Sequence, residues 1–142
     1  SVIEVLPFSN TIATFDVTGA DLLASLESGV SRAHDKTTSG TGRFPQVAGL
    51  RYAFDPAKPE GARIASAEIR DAGGAYRPVD PSATYKAVTN NFVRAGGDGY
   101  SLFAKAKNAY DYGPNLETVV SEYIRTTGPV APAVEGRIRR VQ

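Results

Sequence analysis

The sequence predicts an α+β fold, a mixed sheet with a β-hairpin and packed helices, and three observations carry that expectation. Short segments with imperfect apolar–polar alternation read as strands. Two longer segments repeat apolar residues at helical spacing: Leu22, Leu23, Leu26 and Val30, then Leu116, Val119, Val120, Tyr123 and Ile124. The two kinds alternate irregularly, with two strand segments joined directly, which departs from the regular strand–helix repeat of a doubly wound parallel sheet.

Element by element, Val2 to Leu6 is a short apolar run stopped by Pro7. Thr11 to Val17 (TIATFDV) reads as a strand. Thr18 is placed to cap the helix ADLLASLESGV, where a hydroxyl can accept from an otherwise unpaired backbone N–H. Ala33 to Arg43 is a polar loop rich in Thr, Ser and Gly. Gln46 to Phe54 and Ala62 to Asp71 read as strands joined through KPEG, a hairpin connection longer than the two-residue type. Thr84 to Thr89 is a further strand, and Tyr100 to Ala109 reads as a helix with Leu102 and Phe103 inward. Pro114 opens the last helix and Gly128-Pro129 ends it, with a short strand expected around Arg137 to Val141. No internal repeat is visible.

Composition removes several classes of chemistry. The 142 residues suit one compact domain, and 16 basic against 15 acidic residues leave a net charge of +1. The one basic cluster, Arg137, Arg139 and Arg140, reads as a solvated end rather than the broad stripe that binds nucleic acid. No apolar run approaches the roughly 20 residues of a membrane-spanning helix. Cysteine is absent, so there is no disulfide, thiol nucleophile or cysteine-ligated metal. A single histidine, His34, cannot build a multi-histidine metal site, and in its polar loop it is expected to be exposed. Asp16, Asp21 and Glu27 lie on or near one helix start, where capping and dipole roles account for them. Tyr110, Tyr112 and Tyr123 read as packing residues with wet hydroxyls. The start at Ser1, with no leader and no methionine, reads as a domain from a longer protein.

One stretch stands out, NNFVRAGGDGY from Asn90 to Tyr100. Glycines let backbone approach a partner closely. An ionised aspartate among them accepts hydrogen bonds and donates none, so vicinal hydroxyls suit Asp98 better than a phosphate does. The bland alternative is a strand-to-helix turn with Asp98 as a cap. Phe92 at the end of a strand, and Phe8 in LPFSN, are either core residues or the two faces of a sandwich around a flat ring.

Four segments in order resemble the C-terminal domain of the 5'-nucleotidase family, which includes UDP-sugar hydrolases. LPFSNTIATFDVTGADLLASLE is similar to the family's LPF-x-N opening, and GRFPQVAGLRYAFDP to its G-x-F-x-Q-V-x-G-L-x-Y segment. YKAVTNNFVRAGGDGYSLF resembles its N-F-x-x-x-GGDG-F/Y motif, and GPVAPAVEGRI its closing P-x-x-EGRI. The resemblance implies a 5'-nucleotidase C-terminal domain-like fold and a nucleoside-binding role. It places Phe8 and Phe92 on either side of the base, Asp98 on the ribose hydroxyls, Asn10 at the base edge and Gly42 in the backbone lining the pocket.

It also implies that the reaction lies elsewhere. No catalytic residue, metal ligand or cofactor is expected within this domain. The family's two divalent metals sit on an N-terminal metallophosphoesterase domain, which residues 1–142 do not contain, nor do they contain its N-GGG-I-R segment. The intact protein is then expected to be a periplasmic or secreted phosphoric ester hydrolase acting on nucleoside 5'-phosphates or UDP-sugars. Its partners are a nucleoside or nucleotide and the metallophosphoesterase domain, with no nucleic acid and no membrane span. Two alternatives stand beside this reading. One is the same domain in a 2',3'-cyclic-nucleotide phosphodiesterase or a sulfur-oxidation relative. The other is a non-enzymatic ligand-binding module in which GGDGY is a turn. The loop from Ala33 to Arg43 is a few residues longer than the family pattern.

Overall fold

The computed structural model describes residues 1–34 and 41–141. Its elements are α1 (Val2–Val5), β1 (Ile12–Thr18), α2 (Gly19–Val30), β2 (Leu50–Phe54), β3 (Ile64–Arg70), β4 (Tyr76–Pro78), β5 (Thr84–Asn90), α3 (Asn91–Arg94), β6 (Lys107–Tyr110), α4 (Leu116–Thr127) and β7 (Ile138–Arg140). Short 3-10 turns lie at Thr41–Arg43, Gly97–Gly99 and Ser101–Lys105.

The strands form two sheets. One is antiparallel in the order β5-β1-β6; the other runs β4-β3-β2-β7 and is mixed, because β7 lies parallel to β2. The expected hairpin is β2–β3, with Leu50 opposite Ile69 and Tyr52 opposite Ala67. The predicted α+β class is borne out, with its strands divided between two sheets. Each sheet carries its own apolar cluster. Leu26, Val30, Leu50, Tyr52 and Phe54 lie between α2 and the mixed sheet. Phe15, Val17, Tyr100 and Phe103 lie against the antiparallel one. Leu22 and Tyr85 touch both clusters.

Helix α2 starts where the sequence places it, with the Thr18 hydroxyl accepting from Asp21 N at 3.1 Å. Its far end is held by Arg63, which is buried and donates to the carbonyls of Val30 and Ser31. A cation there satisfies carbonyls that the helix leaves unpaired. Glu27 has a job beyond a helix dipole, since its carboxylate accepts from Arg63 N at 2.9 Å and Ile64 N at 2.7 Å, fixing the entry to β3.

Several expectations change. The strand expected from Gln46 begins only at Leu50, and β4 and the one-turn helix α1 were not foreseen. Tyr100 to Ala109 is not one helix. It turns extended at Ala106, and Lys107–Tyr110 pairs with β1 instead. Asn108 takes φ +50° there and donates to Asp16 Oδ2 at 2.6 Å, so strand pairing outweighs a short helical pattern. Tyr110, Tyr112 and Tyr123 are exposed rather than packed in a core, the first two meeting edge to face at 6.0 Å. On α4, Val119, Tyr123 and Ile124 remain exposed, so its apolar face is not the core face the periodicity predicts. The Ala33–Arg43 loop falls largely on residues 35–40, outside the described residues; His34, at its start, is exposed as expected.

Candidate nucleoside-contacting surface

The site grows out of the end of β5. Asn90 Oδ1 accepts from Val93 N at 2.8 Å and caps α3, so Phe92 stands on a helical turn and not at a strand end. The residue is 53% exposed, which removes the core alternative. Gly96, at φ +101°, then breaks the helix, and the ring rests against the next residue. A Cβ built on Gly97 would stand 2.4–2.6 Å from three atoms of the Phe92 ring, so only glycine lets the ring lie there undisturbed.

Asp98 follows at φ +55°, a left-handed conformation that aspartate tolerates better than most residues. Its side chain is exposed, and no hydrogen bond or ion pair engages its carboxylate among the described residues. Asp98 is therefore not the helix cap of the bland alternative.

Phe8 is 79% exposed, on the segment that leads into β1. Two residues on, Asn10 Nδ2 donates to Asn91 Oδ1 at 3.0 Å, and Thr11 N donates to the same oxygen at 3.1 Å. Asn91 N returns a bond to Thr11 O at 3.0 Å. The segment carrying Phe8 and the turn carrying Phe92 are thus laced side by side. Because Asn91 Oδ1 can only accept, Asn10 must turn its NH2 toward it, which leaves Asn10 Oδ1 as the group able to face a ligand donor. Beneath this lacing, Arg94 forms a two-pronged pair with Asp111, Nε to Oδ1 at 2.6 Å and Nη2 to Oδ2. The Asp111 carbonyl in turn accepts from Thr11 Oγ1.

Gly42 belongs to the Thr41–Arg43 turn on the other side of Asp98. Tyr100 Oη donates to the Arg43 carbonyl at 2.8 Å, and Ser28 Oγ donates to the Gly99 carbonyl at 2.8 Å. Gly99, at φ +85°, lies so close to the Arg43 guanidinium that a Cβ there would be 2.8 Å from Nη1. A Cβ on Gly42 would meet nothing within 4 Å, so crowding does not demand glycine at that position. Burial, and then the charge of Asp98, push the Tyr100 hydroxyl up to about 12.

These contacts divide the five residues. Phe8, Phe92 and Asp98 are each exposed, and the Asn10–Asn91 bond sets the segments of Phe8 and Phe92 side by side, whereas Gly42 and Asp98 line a hollow of about 550 Å³ between the two sheets. Neither phenylalanine lines that hollow. Arg43 and Asn91 are the neighbours that sequence reasoning missed. Asn91 abuts Phe92 in a run of polar residues, but nothing local marks Arg43. Among the described residues no group of three or more His, Cys, Asp or Glu could hold a metal ion, and no helix is long and apolar enough to cross a membrane.

The sequence profile of the family described as "5'-nucleotidase, C-terminal domain" matches residues 1–105. The chain is 39% identical over 141 residues to the trifunctional nucleotide phosphoesterase protein YfkN of Bacillus subtilis (strain 168), covering 99% of this chain and 9% of that protein. It is 36% identical over 145 residues to a 5'-nucleotidase of Diplobatis ommata, covering 100% of this chain and 24% of that one. Among solved structures, the 5'-nucleotidase precursor from Thermus thermophilus superposes with a TM-score of 0.89 at 40% identity, over 99% of this chain and 27% of the other. The chain thus spans from under a tenth to about a quarter of the length of these relatives.

Proposed function

We propose, since this chain belongs to the family of 5'-nucleotidase C-terminal domains, that residues 1–142 form a single domain that binds the nucleoside half of a substrate whose phosphate ester is hydrolysed elsewhere in the protein. The observation that carries this reading is the Phe92–Gly97–Asp98 arrangement. An exposed ring held against a glycine stands directly before an unpartnered carboxylate, with exposed Phe8 laced alongside through Asn10 and Asn91.

A base has two flat faces, and stacking each on a phenylalanine contributes about 1–3 kcal/mol. The ribose presents two vicinal hydroxyls, and Asp98 is a carboxylate with acceptor capacity to spare. Asn10 Oδ1 takes a donor on the base edge, and the Thr41–Arg43 turn, with Gly42, closes the far side of Asp98. Binding energy collected here positions the phosphate over groups this chain does not supply, which lowers the entropic part of the barrier. Those groups belong to a metallophosphoesterase domain with two divalent metals, and the protein works in the periplasm or as a secreted enzyme on nucleoside 5'-phosphates or UDP-sugars. The chain by itself is inactive. The names of the relatives and the share of their length that it spans support this division.

Calorimetric titration with adenosine tests the binding half of the reading. Phe92→Ala should weaken adenosine roughly 5- to 140-fold, the equivalent of one stacked face. Asp98→Ala should erase the preference for adenosine over its dideoxy analogue, which lacks both ribose hydroxyls. Equal binding of the two nucleosides by the parent protein, or unchanged affinity in Phe92→Ala, would refute it.

A further inference from the structure

We propose that the hollow between the two sheets is a second binding site, for a small amphipathic acid with an apolar body and one carboxylate. The hollow of about 550 Å³ lies at the seam of the two apolar clusters, with Phe15 and Phe103 from one wall and Leu26 and Leu50 from the other. That volume is within the roughly 300–1,000 Å³ range of small-molecule sites, and such sites combine apolar walls with a few placed polar groups.

Two guanidinium groups line it, Arg43 and Arg70, and the acid is assigned to Arg43, the one set against Gly99. Its guanidinium packs on Gly99, held by a backbone that Tyr100 Oη fixes from below. Arg43 lines the hollow, yet no carboxylate among the described residues pairs with it. Lys86 also reaches the hollow but is already spent on Asp16 at 2.8 Å. Asp98, on the same wall, is not within ion-pair distance of Arg43. A guanidinium fork beside apolar walls can take a carboxylate two-pronged, with the body of the acid left in contact with Phe15, Leu26 and Leu50. Ser25, on the helix face one turn before Ser28, adds a buried hydroxyl with no partner of its own.

The site is separate from the aromatic surface, since neither Phe8 nor Phe92 lines it, but Asp98 touches both. On the reading that Asp98 meets the ribose, occupancy of the hollow and nucleoside binding share that residue, and acid and nucleoside report on each other by linkage.

The test uses decanoate, below its micelle concentration, against decanol of the same chain length, followed by calorimetry and by chemical-shift changes at Leu26 and Leu50. Decanoate should bind at least about tenfold tighter than decanol, the scale of one charge-assisted hydrogen-bond pair. Arg43→Gln should bring the two ligands level, and Val47→Trp, which places bulk on a loop residue lining the hollow, should abolish both. If Val47→Trp fails to fold, the Arg43→Gln comparison still decides. Equal binding of acid and alcohol by the parent, no binding of either, or loss of decanoate binding in Phe92→Ala would overturn the proposal.

Discussion

Replacing Gly97 by alanine separates the aromatic surface from the stability of the fold. The added Cβ would sit 2.4 Å from Phe92 Cε1 and 2.6 Å from Cδ1 and Cζ. Carbon atoms settle at about 3.5–4.0 Å, so the ring must retreat by about 1 Å or swing off the surface. The backbone raises no objection, because Gly97, unlike Gly96 and Gly99, is not at positive φ. Phe92 is half in solvent, so moving it sacrifices little buried area. The restricted unfolded chain of Gly→Ala even returns about 0.4–1 kcal/mol where the backbone is compatible. Stability should then change by less than about 1 kcal/mol in either direction, read from urea unfolding. Adenosine affinity should fall toward that of Phe92→Ala, a loss of about 1–3 kcal/mol, because a displaced ring no longer faces the base in line with Asp98. Calorimetry on the two variants side by side checks this. A Gly97→Ala protein that binds adenosine like the parent would show that the ring position against Gly97 has no part in recognition. One that unfolds would show that the turn, not the ring, requires the glycine.

Two further predictions concern the scaffold beneath the surface. Arg94→Ala should destabilise the protein by about 1.5–3 kcal/mol in urea unfolding, because the Arg94–Asp111 pair is partly buried, at 16% and 30% side-chain exposure, and its loss strands an aspartate under the Asn10–Asn91 lacing. On the alkaline side, the Tyr100 hydroxyl is raised from 10.0 to about 12 in the folded protein, first by burial and then by Asp98. A group that holds its proton more tightly when folded contributes stability that is whole below pH 10 and is lost as pH rises from 10 toward 12. Tyr100→Phe should therefore be less stable near neutrality, having lost the bond to the Arg43 carbonyl, yet fall less steeply above pH 10. Tyr52, also raised by burial, leaves a residual slope. Thermal melts across that range read both effects.

Local chemistry made part of this protein legible from its residues alone. The Thr18 cap, the helical spacing from Leu22 to Val30, and the alternation of β1, β3 and β5 are properties of contiguous residues, and each appears close to its expected bounds. The four ordered motifs, GGDG among them, carried the family. What depended on partners far along the chain was not legible. Lys107–Tyr110 became a strand because β1 offered it an edge, and Phe92 moved onto a helical turn because the Asn90 side chain closed one there. The apolar stripe of α4 was read correctly as a stripe, but periodicity says which residues share a face and not what covers that face. Only tertiary structure laced Asn10 to Asn91 across 81 positions and set Arg43 against Gly99. Residue types and short spacings are written in sequence, because backbone geometry repeats over a few residues. The division of strands into two sheets, and the hollow between them, come from long-range pairing that no local pattern encodes.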